Sequence, residues 1–381
     1  MRKLVTIGIN TIRGFASPAF NFLIAVFGIK YFGKEDWGIV INILLWVYFI
    51  LIVTSFGNKE FLIRKYSREP SKVNYHFFSS IISRSPLLLL NLFLFLFFSS
   101  HIAIICTILS ILLYCYSSLD SLIIHHQKFG VQLISDIIGF LVILGVVFSL
   151  TEFNLTSIIY AYIVATFIKI LILVIRLDIR TKPKIDFKFS FEDVLMYFPF
   201  FLITFSGWLA NKIDIYLVTA YLEKPEVSEY QLLSSSFLMV NAGFAFFITP
   251  FSKHFYRLPF EKIKKIKTKI DLFIIPYLLI TTVIIWFVME KVMKLDISID
   301  YYYLSAVKTL FPLLYFIDIM ILNKENKEKK ITILIIFGII INLIFILLLI
   351  NKFRLSGVLI STCISRFVLL IMYKLNTLKS K

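Results

Sequence analysis

The sequence predicts an all-α membrane protein of about twelve transmembrane helices, and three observations predict it. First, the 381 residues are 59% hydrophobic and 17% aromatic, with 41 Phe, and the mean hydropathy is +0.88. A soluble core cannot absorb that much apolar surface. Second, apolar stretches of roughly 20 residues, the length that crosses a bilayer as a helix, recur from end to end. Third, Lys and Arg gather in alternate connections, as the positive-inside rule requires.

The first span, 5–29, follows Arg2 and Lys3 as a signal peptide would. Arg13 interrupts it and no small-residue cleavage site follows, so it reads as an uncleaved span. Asn10, Arg13, Ser17 and Asn21 fall broadly on one helical face. Pro18 frees a backbone carbonyl and permits a bend. Spans two to six are placed at 38–57, 76–98, 102–124, 131–150 and 155–176. Ser99-Ser100-His101 is the only turn signal between the third and fourth. The second set is placed at 195–222, 229–251, 270–290, 300–322, 331–350 and 355–373. Its first member repeats the plan of span one. Pro199 sits near its start, and Gly207, Asn211 and Asp214, spaced by four and three, share a face. Lys212 points elsewhere, because helix positions two apart do not face each other.

The connections set the topology. One set holds Lys59, Arg64, Lys65, Arg68 and Lys72, then Arg176 to Lys188, Lys253 to Lys269 and Lys324 to Lys330. Both termini join it, so both are expected in the cytoplasm. This distribution also accounts for the net charge of +17. The basic residues sit in short clusters between apolar runs rather than on one domain face, so nucleic acid is not an expected partner. The longest connector holds Thr181-Lys182-Pro183-Lys184 and has six spans on each side. The expected organisation is therefore a six-helix bundle at 1–176, a cytoplasmic linker at 177–194 and a second six-helix bundle at 195–381. The halves echo each other: Tyr31-Phe-Gly-Lys-Glu-Asp-Trp-Gly38 ends span one, and Tyr221-Leu-Glu-Lys-Pro-Glu-Val-Ser-Glu-Tyr230 ends span seven.

Charges inside the spans are the candidates for chemistry, since each costs about 2.5–3.5 kcal/mol at a helix centre. Arg13, Arg84, Lys212 and Lys308 lie deep. A water-filled lumen or a buried ion pair accounts for them, and the lumen is the preferred reading. Lys169 and Arg366 lie nearer span ends and read as interfacial. Asp214 is the central acid; it either binds a coupling cation or proton, or holds a Lys or Arg from a facing helix. A cationic cavity prefers an anion, and the planar fork of Arg fits phosphate oxygens such as those of a lipid pyrophosphate. Asn42, Trp46, Trp208, Gln231, Ser234, Ser235 and Asn241 are candidates to line a path for attached sugar. Cys106, Cys115 and Cys363 lie in apolar runs without metal-ligand spacing and read as packing residues. His125-His126 diverge by about 100° and make a poor metal pair. No Walker A motif, H-E-x-x-H or dinucleotide turn is present. No catalytic residue, metal site or cofactor is expected.

Four stretches carry a family likeness: Asn10 through Pro18 with Gly28-x-x-Tyr-Phe-Gly-Lys-Glu-Asp-Trp-Gly38; Ser55-Phe-Gly-Asn-Lys-Glu-Phe-Leu-Ile-Arg-Lys-Tyr-Ser67; Pro199 to Tyr230 with Asn211-Lys-Ile-Asp214; and Pro250 to Arg257. With them the chain resembles the O-antigen or capsule repeat-unit flippases (Wzx-like) of the multidrug/oligosaccharidyl-lipid/polysaccharide (MOP) exporter superfamily. The resemblance implies two six-helix bundles related by pseudo-twofold symmetry, as in MATE exporters. It also implies alternating-access transfer of an undecaprenyl-pyrophosphate-linked oligosaccharide across the bacterial inner membrane, driven by ion antiport or membrane potential. On that basis Arg13, Arg84, Lys212, Lys308, Asn10 and Asn211 are expected at the substrate and Asp214 at the coupling ion. The implied partners are the lipid-linked oligosaccharide, membrane lipids, a polysaccharide polymerase and a chain-length regulator. Two other readings stand beside it. A polymerase or multispan glycosyltransferase of the same pathway would need a substantial extracytoplasmic loop. A MATE-type ion-coupled drug exporter would need an anionic lumen.

Overall fold

The computed structural model describes residues 2–177, 191–248, 258–325 and 327–378. All the regular structure among them is helical. Eight helices there are long and apolar enough to cross a membrane. The chain is a multi-pass membrane protein.

Two of the eight are far longer than one crossing. Helix α1, Arg2–Ser55, holds the first two expected spans with no loop between them. The chain turns its corner at Gly33, whose φ of 88° and ψ of 167° are open to almost no other residue. The last helix, α12, Glu328–Leu378, likewise merges the last two expected spans through a bend at Arg354. The intended breaks were therefore single-residue corners, which leave the helical ladder nearly continuous on both sides.

The third expected span is broken internally. After α2, Asn58–Arg68, helix α3, Val73–Arg84, gives way to a 3-10 stretch, Ser85–Phe93, and a short α4, Leu94–Phe97. Pro86 is the cause, because it has no N–H to give the Ile82 carbonyl. That carbonyl is satisfied instead by the Ser85 hydroxyl at 2.8 Å and the Ser85 N–H. Helices α5, Ser100–His126, α6, Phe129–Ser149, and α7, Leu155–Leu177, follow. Then come α8, Phe191–Tyr221, α9, Lys224–Ile248, α10, Phe260–Trp286, and α11, Ile299–Lys324.

Contacts gather the chain into two compact units: Met1–Phe20 with Ile39–Trp208, and Asn21–Gly38 with Leu209–Lys381. Most of the expected linker, 178–190, lies outside the described residues, as do Pro250 and Arg257. The first unit has one apolar core around Phe61, Leu62, Tyr66, Leu119, Ile123 and Leu173, and another around Val47, Ile50, Ala103, Cys106 and Leu109. The cores of the second unit centre on Phe244, Ile274, Leu313 and Ile317, and on Leu322, Leu334, Leu369 and Tyr373.

The two echoing turns meet inside the second unit. Lys34 Nζ lies 2.6 Å from Glu229 Oε1, and the Ser228 hydroxyl donates to the Lys34 carbonyl at 2.5 Å. Trp37, only 2% exposed, lies flat over Gly28, where a Cβ would stand 2.3 Å from the ring. The Gly28 to Gly38 motif is thus the mould for one buried indole. Gly28→Val should overpack it and cost roughly 1–3 kcal/mol. The check is the thermal midpoint of detergent-purified protein, where an unchanged value would refute this packing role.

Candidate functional site

A cavity of about 140 Å³ lies in the second unit, lined by α8, α9, α11 and α12. Three cations line it, Lys212, Lys308 and Arg366, against one carboxylate, Asp214. Polar groups complete the wall: Asn211, Ser234, Ser235, Asn241, Ser305 and Thr309.

The carboxylate is held on every side. Asp214 Oδ1 accepts the Ile215 N–H at 3.1 Å. Oδ2 accepts the Tyr230 hydroxyl and the Lys308 ammonium, the latter at 3.2 Å. Lys308 also donates to the Tyr230 oxygen at 2.8 Å and lies 4.9 Å from that ring's centroid. Tyr230 is therefore donor to the acid and acceptor from the base, which closes a three-membered network. Asp214 is 4% exposed and Tyr230 1%. A buried carboxylate persists as an ion only with such partners.

Arg366 donates Nη1 to the Tyr315 hydroxyl at 3.1 Å and Nη2 to the Ala210 carbonyl at 3.3 Å. It is a cavity residue, where position alone predicted an interfacial one. Lys212 makes no hydrogen bond or ion pair to another described residue. It reaches the same cavity as Asp214 although their Cβ atoms diverge, because four methylenes span the offset. Pro312 lies one turn beyond Lys308 and has no N–H, so the Lys308 carbonyl loses its helical donor. The side-chain oxygen of Asn241 is buried without a partner among the described residues.

The other predicted site residues lie elsewhere. Asn10 has a side chain outside the described ones. Arg13 belongs to the first unit, its guanidinium 5.9 Å from the Phe129 ring centroid. Arg84, also in the first unit, is 1% exposed. Its Nη1 reaches the Thr54 and Ser55 carbonyls at 3.0 and 3.1 Å, Nη2 reaches Ser118 Oγ at 3.0 Å, and Nε reaches the Ser80 carbonyl at 3.1 Å. In this structure Arg84 therefore caps the end of α1, whose last carbonyls lack helical donors and carry the negative end of the helix dipole. Lys169 pairs with Asp136 at 3.1 Å rather than snorkelling. Trp46 and Trp208 stack in the first unit, on Phe97 and Phe205.

Sequence reasoning placed Arg366 at an interface and did not name Tyr230, Ser305 or Thr309 as site residues. Tyr230 carried a signal, since it opens the span that follows Asp214. Ser305 and Thr309 are four residues apart around Lys308 and share its helical turn.

A family described as polysaccharide biosynthesis protein matches residues 31–253, more than half of the chain. The chain belongs to that family. No curated protein sequence matches it. Among solved structures, the lipid II flippase MurJ in an inward closed conformation superposes with a TM-score of 0.68 at 18% identity, covering 97% of this chain and 87% of that one. A eukaryotic MATE transporter gives 0.60 at 14% identity, covering 100% and 96%. An inward-facing multidrug resistance MATE transporter of the MOP superfamily gives 0.56 at 11% identity, covering 96% of each. This polysaccharide biosynthesis protein thus shares its fold with a lipid II flippase and with MATE transporters.

Two predictions follow from these contacts. Lys308→Met should leave Asp214 buried and unpaired, at a cost of about 3–5 kcal/mol. Adding Asp214→Asn should recover part of that loss, and thermal unfolding of the single and double variants would report it; strictly additive losses would refute the pairing. Arg84→Met should cost at least about 1–3 kcal/mol through stranded carbonyls. Unaltered stability would return Arg84 to the candidates for substrate contact.

Proposed function

We propose that this protein is a flippase for lipid-linked oligosaccharides, carrying undecaprenyl-pyrophosphate-linked O-antigen or capsule repeat units across the bacterial inner membrane by alternating access. The cavity of the second unit carries this reading: three cations and one carboxylate within a membrane-embedded wall of Asn, Ser and Thr. Such a wall suits a diphosphate bearing a sugar. Arg366 offers a planar fork and Lys212 a point charge. Asn241 offers to a sugar hydroxyl an acceptor with no partner among the described residues. The family and the flippase among the structural neighbours support the same reading.

The proposed topology has about twelve spans in two bundles with both termini cytoplasmic, supported by the alternation of basic connections. Lys308 is the gating cation in this scheme. A pyrophosphate that enters the cavity competes with Asp214 for Lys308, so loading the substrate loosens the Asp214–Tyr230–Lys308 network. Asp214 would then be open to a coupling cation or proton. Arg13 and Asn10 remain proposed contributors from the first unit. A polymerase and a chain-length regulator remain proposed partners.

The test is mass spectrometry of polyprenyl-linked sugars in a deletion strain, with the surface glycan followed in parallel. Complete single repeat units stranded on undecaprenyl pyrophosphate, with no surface glycan, are expected. Wild-type protein should rescue, and Lys212→Glu should fail to rescue at normal protein level, because that lysine lines the cavity and supplies one of its three cations. Single units reaching the surface unpolymerised would instead mean a polymerase.

A further inference from the structure

A second cavity, of about 300 Å³, lies wholly in the first unit, where α2 packs against α8. Its lining divides sharply. Phe61, Met196 and Phe200 are apolar, while Arg64, Lys65 and Arg68 are cationic and Glu69 adds one carboxylate. That carboxylate is already committed: Lys72 Nζ lies 3.1 Å from it and His76 Nε2 3.2 Å. The Lys72 ammonium, with His76 second, holds the Glu69 carboxyl below the usual carboxylate range. Among the described lining residues three cations stand against that one carboxylate.

The arrangement follows from the sequence of α2. Its eleven residues are too few to cross a bilayer, and candidate spans flank it on both sides, Ile12–Ser55 and Pro70–Phe97. A short helix with an apolar and a cationic face, set between two spans, suits the boundary where the apolar interior meets water. Phe61, Leu62 and Tyr66 turn into the core, and the Phe61 ring sits 4.0 Å from that of Tyr197. Arg64 and Arg68 are exposed and four residues apart, hence neighbours on one face. Backbone, not only side chains, sets the separation of the two walls. Gly57 enters α2 at φ 68°, and a Cβ there would stand 2.5 Å from the Phe201 nitrogen. Basic connections alone would satisfy the topology rule with lysines scattered in water. Here two guanidinium groups border a formed cavity whose other side is aromatic and thioether.

We propose that this cavity binds an anionic glycerophospholipid of the surrounding membrane. The guanidinium groups of Arg64 and Arg68 take the phosphodiester, for which a planar fork of donors is matched. The Phe61, Met196 and Phe200 wall takes the glycerol end of an acyl chain. A free phosphate would gain nothing from that wall, and a zwitterionic lipid would bring a second cation to a site already rich in them. Basic pockets beside membrane helices recognise anionic headgroups by this same combination. The proposal does not depend on the transport reading of the other cavity.

Native mass spectrometry of the full-length protein, released from detergent after titration with phosphatidylglycerol or phosphatidylcholine, tests it. Retention of phosphatidylglycerol at least tenfold above phosphatidylcholine is expected. The R64Q/R68Q double variant should lose that preference while keeping its thermal midpoint. Met196→Glu, a separate change in the half-exposed apolar wall, should lower retention of phosphatidylglycerol likewise. Millimolar inorganic phosphate should not displace the lipid. Equal retention of the two lipids, an intact preference in both variants, or displacement by phosphate alone would overturn the proposal. Displacement only by undecaprenyl pyrophosphate would also overturn it, and would make the cavity a docking place for the transported lipid.

Discussion

Everything about the second unit turns on one buried carboxylate. Asp214 sits inside a membrane helix at 4% exposure, where an isolated ion is prohibitively expensive. Tyr230 and Lys308 make it tolerable, and each comes from a different helix. The three helices are therefore pinned together by a network that apolar packing could not specify. In the proposed function that network is also reversible, because an ammonium held by a carboxylate can exchange it for another anion. Stability and the proposed anion recognition would then share one lysine. This is a reason for an expensive charge to sit there when a hydrocarbon side chain would pack as well.

The first unit spends its charge differently. Arg84 is deeper than any cavity cation, yet its donors end on the Thr54, Ser55 and Ser80 carbonyls and on the Ser118 hydroxyl. Lys169 closes on Asp136, whose same oxygen accepts the Tyr116 hydroxyl at 2.7 Å. An Asp, Tyr and Lys thus meet in each unit, on helices that do not correspond in order along the chain. In the first unit the network joins α5, α6 and α7; in the second it joins α8, α9 and α11. The shared chemistry is a solution to burying an ion pair, reached from different positions.

Much of this was legible in the sequence, and the limits have physical causes. Span lengths and basic connections are set by bilayer thickness and surface charge, both of which act on composition, so the helical class and the multi-pass character were open to reading. Lys212, Asp214 and Lys308, which line the cavity, were also readable as buried charges, since an ionisable group in an apolar run is conspicuous. Which cations share a cavity was not readable. Arg84 and Lys308 look alike as isolated charges, and only the carbonyls at the end of α1 or the carboxylate on α8 separate them. Arg366 looked interfacial because distance along a span does not reveal which helices it faces. The span boundaries at 30–37 and 351–354 do not reveal that the structure turns at the single residues Gly33 and Arg354, because one residue at positive φ leaves no composition signal beyond itself.

The central claim is that Lys308 and its neighbours accept a lipid-borne pyrophosphate in place of Asp214. Proteoliposomes holding the purified protein and a lipid-linked pyrophosphate oligosaccharide test it most directly, with translocation read by loss of protection from an externally added glycan-modifying enzyme. Wild-type protein should expose the sugar, and Lys308→Gln paired with Asp214→Asn, which removes both charges together and leaves no unpaired carboxylate, should not. Equal translocation by that folded double variant would contradict the account and place the anion path away from this cavity.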